Sequence, residues 1–306
     1  MMSESVNLYE PHVKEINGPA LLLDFVLLYG FGLIGGVLIP KITGIHIRGF
    51  FCDDESIRYD YKEDTVTPVA LFLYVFFVMI LTVVATEIYR SKRISQESLP
   101  QFKLGDTTVH TTVIQIVIYL AYSQIGFISI YVLTNVTKSC IGRLRPHFLD
   151  VCKPTNITCT HSEYYASYTC TGNADLVAEA RKSFFSGHSA FSMYASTFTA
   201  LYLLARMPHN ALRGTALPVL QTALISIGLL ISYSRINDNK HHWSDVIVGI
   251  FVGVFVATYT CLVWAGMFTK QSEEVLPIRR AHAEYSDVTA ATSEGSGNEN
   301  VHPDEK

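Results

Sequence analysis

Long apolar stretches alternate with polar segments along the chain. Six of them run over Pro19–Pro40, Pro68–Thr86, Thr111–Thr134, Phe184–Ala205, Gly214–Ser234 and Val246–Thr269. A helix needs about 20 apolar residues to cross a hydrocarbon core about 30 Å thick, and each stretch comes near that length. The runs lack the strict alternation of a barrel strand, and an open sheet cannot satisfy its backbone in lipid. The pattern therefore predicts an all-α polytopic membrane protein with six transmembrane helices. The first run carries Asp24 and the fourth carries His188, whereas the other four hold no formal charge.

The expected organisation follows from these runs. Residues 1–18 form a short cytoplasmic N-terminus, residues 19–270 the six-span domain, and residues 271–306 a tail. The first run is long enough to remain in the bilayer as a signal anchor, and no cleavage site accompanies it. The tail, rich in Ser, Thr, Glu, Asn and Gly, reads as disordered and cytoplasmic.

Composition sharpens the picture. Of 306 residues, 49% are hydrophobic and 16% charged, against about 25% charged in soluble chains. Mean hydropathy is +0.26. A net charge of −4 argues against a nucleic-acid partner, which calls for a basic surface. The cysteines form no Cys-x-x-Cys pair, so no zinc or thiol-redox motif is present and no cofactor is expected.

Six crossings put both termini on one side and the loops after runs one, three and five on the other. Lysine and arginine are spread about evenly over the two sides, so they do not orient the chain. Asn156-Ile157-Thr158 in the third loop is a glycosylation sequon, and glycans are added on the lumenal side. Cys52, Cys152, Cys159 and Cys170 also fall in odd loops, while the even loops and the tails hold no cysteine. Both signals place the odd loops in an oxidising, extracellular or lumenal space.

On that side, three polar clusters stand at the membrane boundary. Lys138-Ser-Cys-Ile-Gly-Arg-Leu-Arg145-Pro146 follows the third run. Ser183-Phe-Phe-Ser186-Gly187-His188-Ser189 opens the fourth, and Ser234-Arg235 through His241-His242-Trp-Ser-Asp245 joins the fifth to the sixth. Taken singly, each residue has a bland explanation: a cation at a span end is usually a snorkelling anchor, and Arg-Pro alone is a helix stop. Together they are complementary. Lys138, Arg145 and Arg235 offer fixed charge and N–H donors suited to phosphate oxygens. The backbone around Ser186, Gly187 and His188 begins a helix, where unpaired N–H groups favour an anion. His241 and Asp245, spaced i, i+4, would share a helical face, so that the carboxylate could hold one ring nitrogen. His188 could protonate a leaving oxygen. Spacing alone does not choose nucleophile from base, nor His241 from His242. No acidic cage for a metal appears among these residues.

The three motifs, in this order and spacing, resemble the type 2 phosphatidic acid phosphatase superfamily. Its pattern of Lys-x6-Arg-Pro, Pro-Ser-Gly-His and Ser-Arg-x5-His-x3-Asp is matched by Lys138–Pro146, Ser186–His188 and Ser234–Asp245, with Phe185 in place of the proline. The Phe185 context, Arg48-Gly-Phe-Phe-Cys-Asp-Asp-Glu-Ser-Ile, Tyr61-Lys-Glu-Asp-Thr and Lys240-His-His-Trp-Ser-Asp are similar to the animal lipid phosphate phosphatases. The likeness covers residues 20 to 270.

The resemblance implies metal-independent hydrolysis of phosphatidate, lysophosphatidate, sphingosine 1-phosphate and ceramide 1-phosphate at the outer or lumenal ends of helices three to six. It implies His241 as nucleophile, His188 as general acid and Asp245 as the residue that orients His241. Lys138, Arg145, Ser186, Gly187 and Arg235 would bind the phosphate. The expected location is the plasma membrane, with Golgi and endoplasmic reticulum as alternatives, and a homo-oligomer is left open. Competing readings are a lipid phosphotransferase, an inactive lipid-binding relative and a transporter. The full Lys-x6-Arg-Pro cluster, the retained motif residues and the clean mid-spans speak against them in turn.

Overall fold

The computed structural model describes residues 13–93, 101–155, 157, 162–207 and 214–268. The expected tail, the sequon residues Asn156 and Thr158, and Cys159 lie outside the described residues. The chain divides into a unit Met1–Ala265 and a second unit Gly266–Lys306, of which only residues 266–268 are described.

Among the described residues, five helices are long and apolar enough to cross a membrane: α1 (Gly18–Thr43), α2 (Pro68–Arg93), α3 (Thr111–Ile141), α7 (Ala216–Asn237) and α8 (Trp243–Trp264). They correspond to the first, second, third, fifth and sixth predicted runs; α2 and α3 continue past theirs by seven residues each, whereas α7 and α8 are shifted from theirs by a few residues. The extension of α3 to Ile141 carries Lys138 into its last turn. Large apolar side chains such as Leu22, Phe25, Leu27, Phe72, Leu230 and Phe251 remain exposed on these helices. An apolar coat of that extent on a polytopic chain is a lipid-facing surface.

The fourth run behaves differently. Its helix α6 (Gly187–Arg206) is 20 residues long but falls short of the other five in apolar character, with Ser189, Ser192, Ser196, Thr197 and Thr199 all buried. The reason is position. It packs against α8, α7, α2 and α3, so its neighbours are protein rather than lipid. Small hydroxyl residues suit such a helix because they admit close packing and bond to backbone carbonyls, as Ser192 does to Gly228 O at 3.1 Å. By contrast, α1 leans on α3 at the periphery.

Two devices lock this bundle. Gly249 and Gly253 on α8 lie one turn apart and face α6; a Cβ on Gly249 would come within 2.5 Å of Ser186 O, and one on Gly253 within 3.0 Å of Tyr194 N. Only glycine permits that approach. Asp245 lies one turn before Gly249, so the same close contact delivers its carboxylate to the start of α6. Toward the other end of α6, buried Glu87 of α2 accepts from Tyr202 Oη at 2.6 Å and from Arg206 Nε and Nη2 at 2.9 and 3.0 Å. That pair staples α2 to α6.

A small extramembrane cap covers the Asp245 end. Short helices α4 (Phe148–Cys152) and α5 (Ala174–Glu179) and strand pairs β2 (Phe50–Phe51) with β6 (Tyr164–Tyr165) and β5 (Pro154–Thr155) with β7 (Thr169–Cys170) build it. Phe50, Ile57, Leu144, Phe148, Val151 and Val177 are among its core residues. A disulfide joins Cys152 to Cys170, and Cys52 is also disulfide-bonded. Cys140 and Cys261 are free. On the opposite loops, β1 (Val13–Glu15), β3 (Gln101–Leu104) and β4 (Thr107–Val109) form a three-stranded sheet, a feature that the apolar pattern did not predict.

Gly253→Val should separate α8 from α6. Thermal unfolding in detergent should show a loss of about 1–3 kcal/mol, accompanied by reduced turnover because Asp245 moves with the helix. Unchanged stability and activity would contradict the packing described.

Candidate active site

The three motifs meet at the cap end of α3, α6, α7 and α8. Helix α3 stops at Gly142, whose φ of 58° supplies the left-handed cap, and its N–H returns to Lys138 O at 3.3 Å. The chain then turns under the cap: Arg145 N–H donates to Ala180 O at 2.8 Å, and Ser183 N–H to Arg143 O at 2.9 Å. Helix α6 starts at Ser186, whose Oγ caps Ser189 N–H at 3.4 Å. After α7, Asn239 with φ 55° reverses the chain, so that Lys240 and His241 N–H both bond Arg235 O, at 3.0 and 3.2 Å.

His241 is 2% exposed, and its Nδ1 lies 2.7 Å from Ser183 O. A carbonyl only accepts, so Nδ1 carries the hydrogen and the Nε2 lone pair is free. Burial, reinforced by the charges of Arg145, Lys138 and Arg235, holds this imidazole well below its ordinary pKa, with Asp245 pulling the other way. At neutral pH it is an uncharged ring with an available nitrogen.

The expectation that His241 and Asp245 share a helical face needs correction. Helix α8 begins at Trp243, so His241 lies in the preceding turn and His242 is the N-cap. Asp245 Oδ2 stands 3.9 Å from His241 Nδ1, beyond hydrogen-bond reach. Its carboxylate instead accepts from Ser183 Oγ at 2.6 Å, Arg143 Nη1 at 2.5 Å and His242 N–H at 3.1 Å. The ring is oriented by Ser183 O, and Asp245 supports it at one remove. His242 points elsewhere: its Nε2 lies 3.0 Å from Leu144 O, beside a cavity of about 260 Å³ that Arg48, Phe51 and Arg143 also line.

The cations of the three segments lie within electrostatic range of one another. Arg145 and Arg235 are 6% and 2% exposed, and each is held at one edge by a carboxylate. Arg145 Nη2 bonds Glu179 at 2.5 Å, and Arg235 Nη2 bonds Asp64 at 2.8 Å. In both guanidinium groups the buried Nε has no partner among the described residues. Buried donors are seldom left unpaired, so two orphaned N–H groups beside a free imidazole nitrogen mark the place of an anion. Lys138 adds a third cation; a methyl group on Gly187 would lie 3.8 Å from its Nζ. At the helix start, Ser186 N–H is already taken by Asp245 O at 3.1 Å. The N–H groups left for an anion are those of Gly187 and His188, in the first turn of α6.

His188 Nε2 lies 3.1 Å from Val66 O. By the same reasoning Nε2 keeps its hydrogen, and Nδ1 is the nitrogen that gains and loses a proton. Ser183, Arg143, Asp64 and Glu179 complete the site without having been singled out from sequence. The first two sit inside the polar clusters, where Arg143 reads as one more anchor and Ser183 as a loop residue. Asp64 lies in the Tyr61-Lys-Glu-Asp-Thr segment, and nothing in the sequence around Glu179 signals its role. Burial raises the pKa of Asp64 and Glu179, but Arg235 and Lys240 hold the first, and Arg145 and Lys138 the second, below the usual carboxylate range. Both carboxylates are therefore charged at neutral pH. Asn156 lies outside the described residues.

Comparison with known proteins agrees with this chemistry. Residues 112–270 match the family model described as the PAP2 superfamily. The chain is 48% identical over 242 residues to a protein named phospholipid phosphatase homolog 1.2 homolog from Caenorhabditis elegans, covering 78% of this chain and 71% of that protein. It is 37% identical over 250 residues to phospholipid phosphatase 1 from Rattus norvegicus, covering 80% and 84%. With phospholipid phosphatase 2 from Homo sapiens it shares 36% identity over 241 residues, covering 78% and 81%. No solved structure matches the chain significantly.

The site's rim makes a pH-dependent contribution to stability. His147 packs edge-on against Tyr61 with Nδ1 2.8 Å from Asn239 O, and burial lowers its pKa to about 4. The folded protein keeps this ring neutral while the unfolded chain protonates it below about pH 6.5. Its contribution is thus complete above that pH and declines as pH falls toward 4, by about 1.4 kcal/mol per pH unit at most. His147→Gln should flatten the fall in thermal stability between pH 6.5 and 4.5; parallel curves for the two proteins would contradict the assignment.

Proposed function

The chain belongs to the PAP2 superfamily and is a multi-pass membrane enzyme that hydrolyses lipid phosphates, and from its geometry we propose that hydrolysis runs through a phosphohistidine on His241. The observation that carries this reading is the pair of orphaned arginine Nε groups set around a neutral imidazole whose Nε2 is free. The phosphoryl oxygens rest on Arg145, Arg235, Lys138 and the N–H groups of Gly187 and His188, with Ser186 shaping the helix start. His241 Nε2 attacks phosphorus as the ester P–O bond breaks. The departing alkoxide takes a proton from His188. The phosphorylated ring is then cationic, and Asp245, 3.9 Å from its Nδ1, stabilises that charge. Water, deprotonated by His188, finally splits the P–N bond and releases phosphate.

The substrates are phosphatidate, lysophosphatidate, sphingosine 1-phosphate and ceramide 1-phosphate, giving diacylglycerol or the matching alcohol. Lysine and arginine balance the phosphate charge, so turnover needs no metal. Rapid quenching of the enzyme on radiolabelled lysophosphatidate, in excess chelator, should trap an acid-labile phosphoenzyme. His241→Ala should abolish it and lower turnover by about three orders of magnitude or more, while His242→Ala retains both. A phosphoenzyme in His241→Ala that is missing from His242→Ala would reverse the assignment.

We read α6 as a further crossing and both ends as cytoplasmic, which puts the proposed site outside the cell or in a lumen. The disulfide Cys152–Cys170 in the cap supports that side, because such bonds persist in oxidising compartments. The plasma membrane is the proposed location. Intact cells should dephosphorylate lysophosphatidate in the medium and show a glycosidase-sensitive mass shift that Asn156→Gln removes. Activity confined to broken cells, without a glycan, would place the site on the other face.

A further inference from the structure

Asp64 stands outside the three motifs, on the segment that leads from the cap into α2. Its carboxylate binds Arg235 Nη2 at 2.8 Å and lies 3.7 Å from Lys240 Nζ. Two residues on, Val66 O accepts from Arg235 Nη1 at 3.3 Å and faces His188 Nε2 at 3.1 Å. One short segment thus touches both a proposed phosphate-binding arginine and the proposed general acid. We propose that Asp64 is a positioning residue of the catalytic site, bracing the outer edge of Arg235 so that its Nε edge faces the phosphoryl group. The inference rests on the roles given above to Arg235 and His188.

Two simpler roles for Asp64 fit less well. The first is a staple that merely ties the segment down. That work is done by its neighbours: Thr65 N–H and Oγ1 bond Asp238 at 2.9 and 2.6 Å, and Lys62 Nζ bonds Asn237 O at 2.9 Å. Tyr59 N–H to Pro146 O, Tyr61 N–H to Asp150 and Asn239 Nδ2 to Asp60 O add three more anchors, at 2.9, 2.9 and 3.0 Å. The Asp64 carboxylate is directed instead at Arg235 and Lys240.

The second is a plug that occupies the phosphate position until substrate displaces it. Asp64 is 28% exposed in its side chain and Arg235 only 2%, so the carboxylate meets the guanidinium from the wet rim. The orphaned Nε is on the buried part of the group. A phosphate can take that edge with the Asp64 pair intact. A guanidinium is planar, so fixing one edge fixes the direction of the other. Arg145 repeats the arrangement, with Glu179 at one edge and Nε unpartnered.

The test compares Asp64→Asn, Asp64→Glu and Glu63→Gln in full-length protein in detergent. Glu63 is exposed, carries the same charge one residue away and does not touch Arg235. Readouts are kcat/KM on lysophosphatidate, the inhibition constant of inorganic phosphate, and thermal stability. Asp64→Asn should lower kcat/KM by about 10- to 100-fold, the scale of a misplaced binding group, and weaken inorganic phosphate in step. Its melting temperature should barely move. Asp64→Glu should fall between it and wild type, and Glu63→Gln should match wild type. In an Arg235→Lys background, Asp64→Asn should add little further loss.

If Arg235→Lys alone keeps full turnover, the reading of Arg235 fails and takes this inference with it. If Arg235→Lys is impaired while Asp64→Asn equals wild type or binds phosphate more tightly, the brace alone is overturned. Should Asp64→Asn not fold, Asp64→Glu decides: kinetic constants equal to wild type overturn the proposal, and a loss in both constants supports it.

Discussion

The buried carboxylate of Asp245 is the constraint on which the rest of the site depends. It is fully shielded from solvent and accepts from Ser183, Arg143 and the His242 backbone, one partner from each of the three polar segments. A buried charge deprived of one partner is strongly destabilising, by about 3–5 kcal/mol for a fully buried pair, so these segments are not free to drift apart. The backbone carbonyl of Asp245 also takes Ser186 N–H, which fixes the start of α6 against α8. None of this is reachable unless the helices approach closely, and Gly249 and Gly253 provide that approach. The chain of cause runs from two glycines, through a helix contact, to a carboxylate and then to the ring beside it.

That framework makes room for an arrangement that is costly by itself. Lys138, Arg145 and Arg235 carry like charge in a largely dry pocket, where their repulsion is poorly screened. Glu179, Asp64 and Asp238 offset it from the outer edges of the two arginines. Their Nε groups have no partner among the described residues. A dianionic phosphate ester would complete the set of ion pairs, which is how binding and orientation become one event. Burial, together with the same cations, keeps His241 neutral; in the proposed mechanism the field that holds the phosphate also prepares the attacking ring.

Much of this was legible in the sequence, and the parts that were not have identifiable causes. Five spans announce themselves because lipid demands continuous apolar surface. The fourth run also reads as a helix, yet α6 is rich in serine and threonine because protein surrounds it. Motif order and spacing singled out Lys138, Arg145, His188, Arg235, His241 and Asp245 as one group, and the segments that carry them meet at the cap end of α3, α6, α7 and α8. The i, i+4 spacing of His241 and Asp245 misled, since a helix was assumed where a turn and an N-cap stand. Ser183 O, which holds the His241 ring, is a backbone group and leaves no signature in residue type. Asp64 and Glu179 reach the site through the loop before α2 and the cap helix α5. Charges at such positions look like ordinary surface residues until the fold brings them in.

In the proposed mechanism phosphorus meets Nε2 of His241 between the Nε groups of Arg145 and Arg235. An experimental structure of the protein with orthovanadate, a mimic of the five-coordinate phosphoryl group, tests it most directly. Vanadium should be bonded to His241 Nε2, with its oxygens on Arg145 Nε, Arg235 Nε and Lys138 Nζ and with Asp64 still paired to Arg235. Vanadate bonded to His242 or to His188, or bound with both arginine Nε groups left empty, would contradict it.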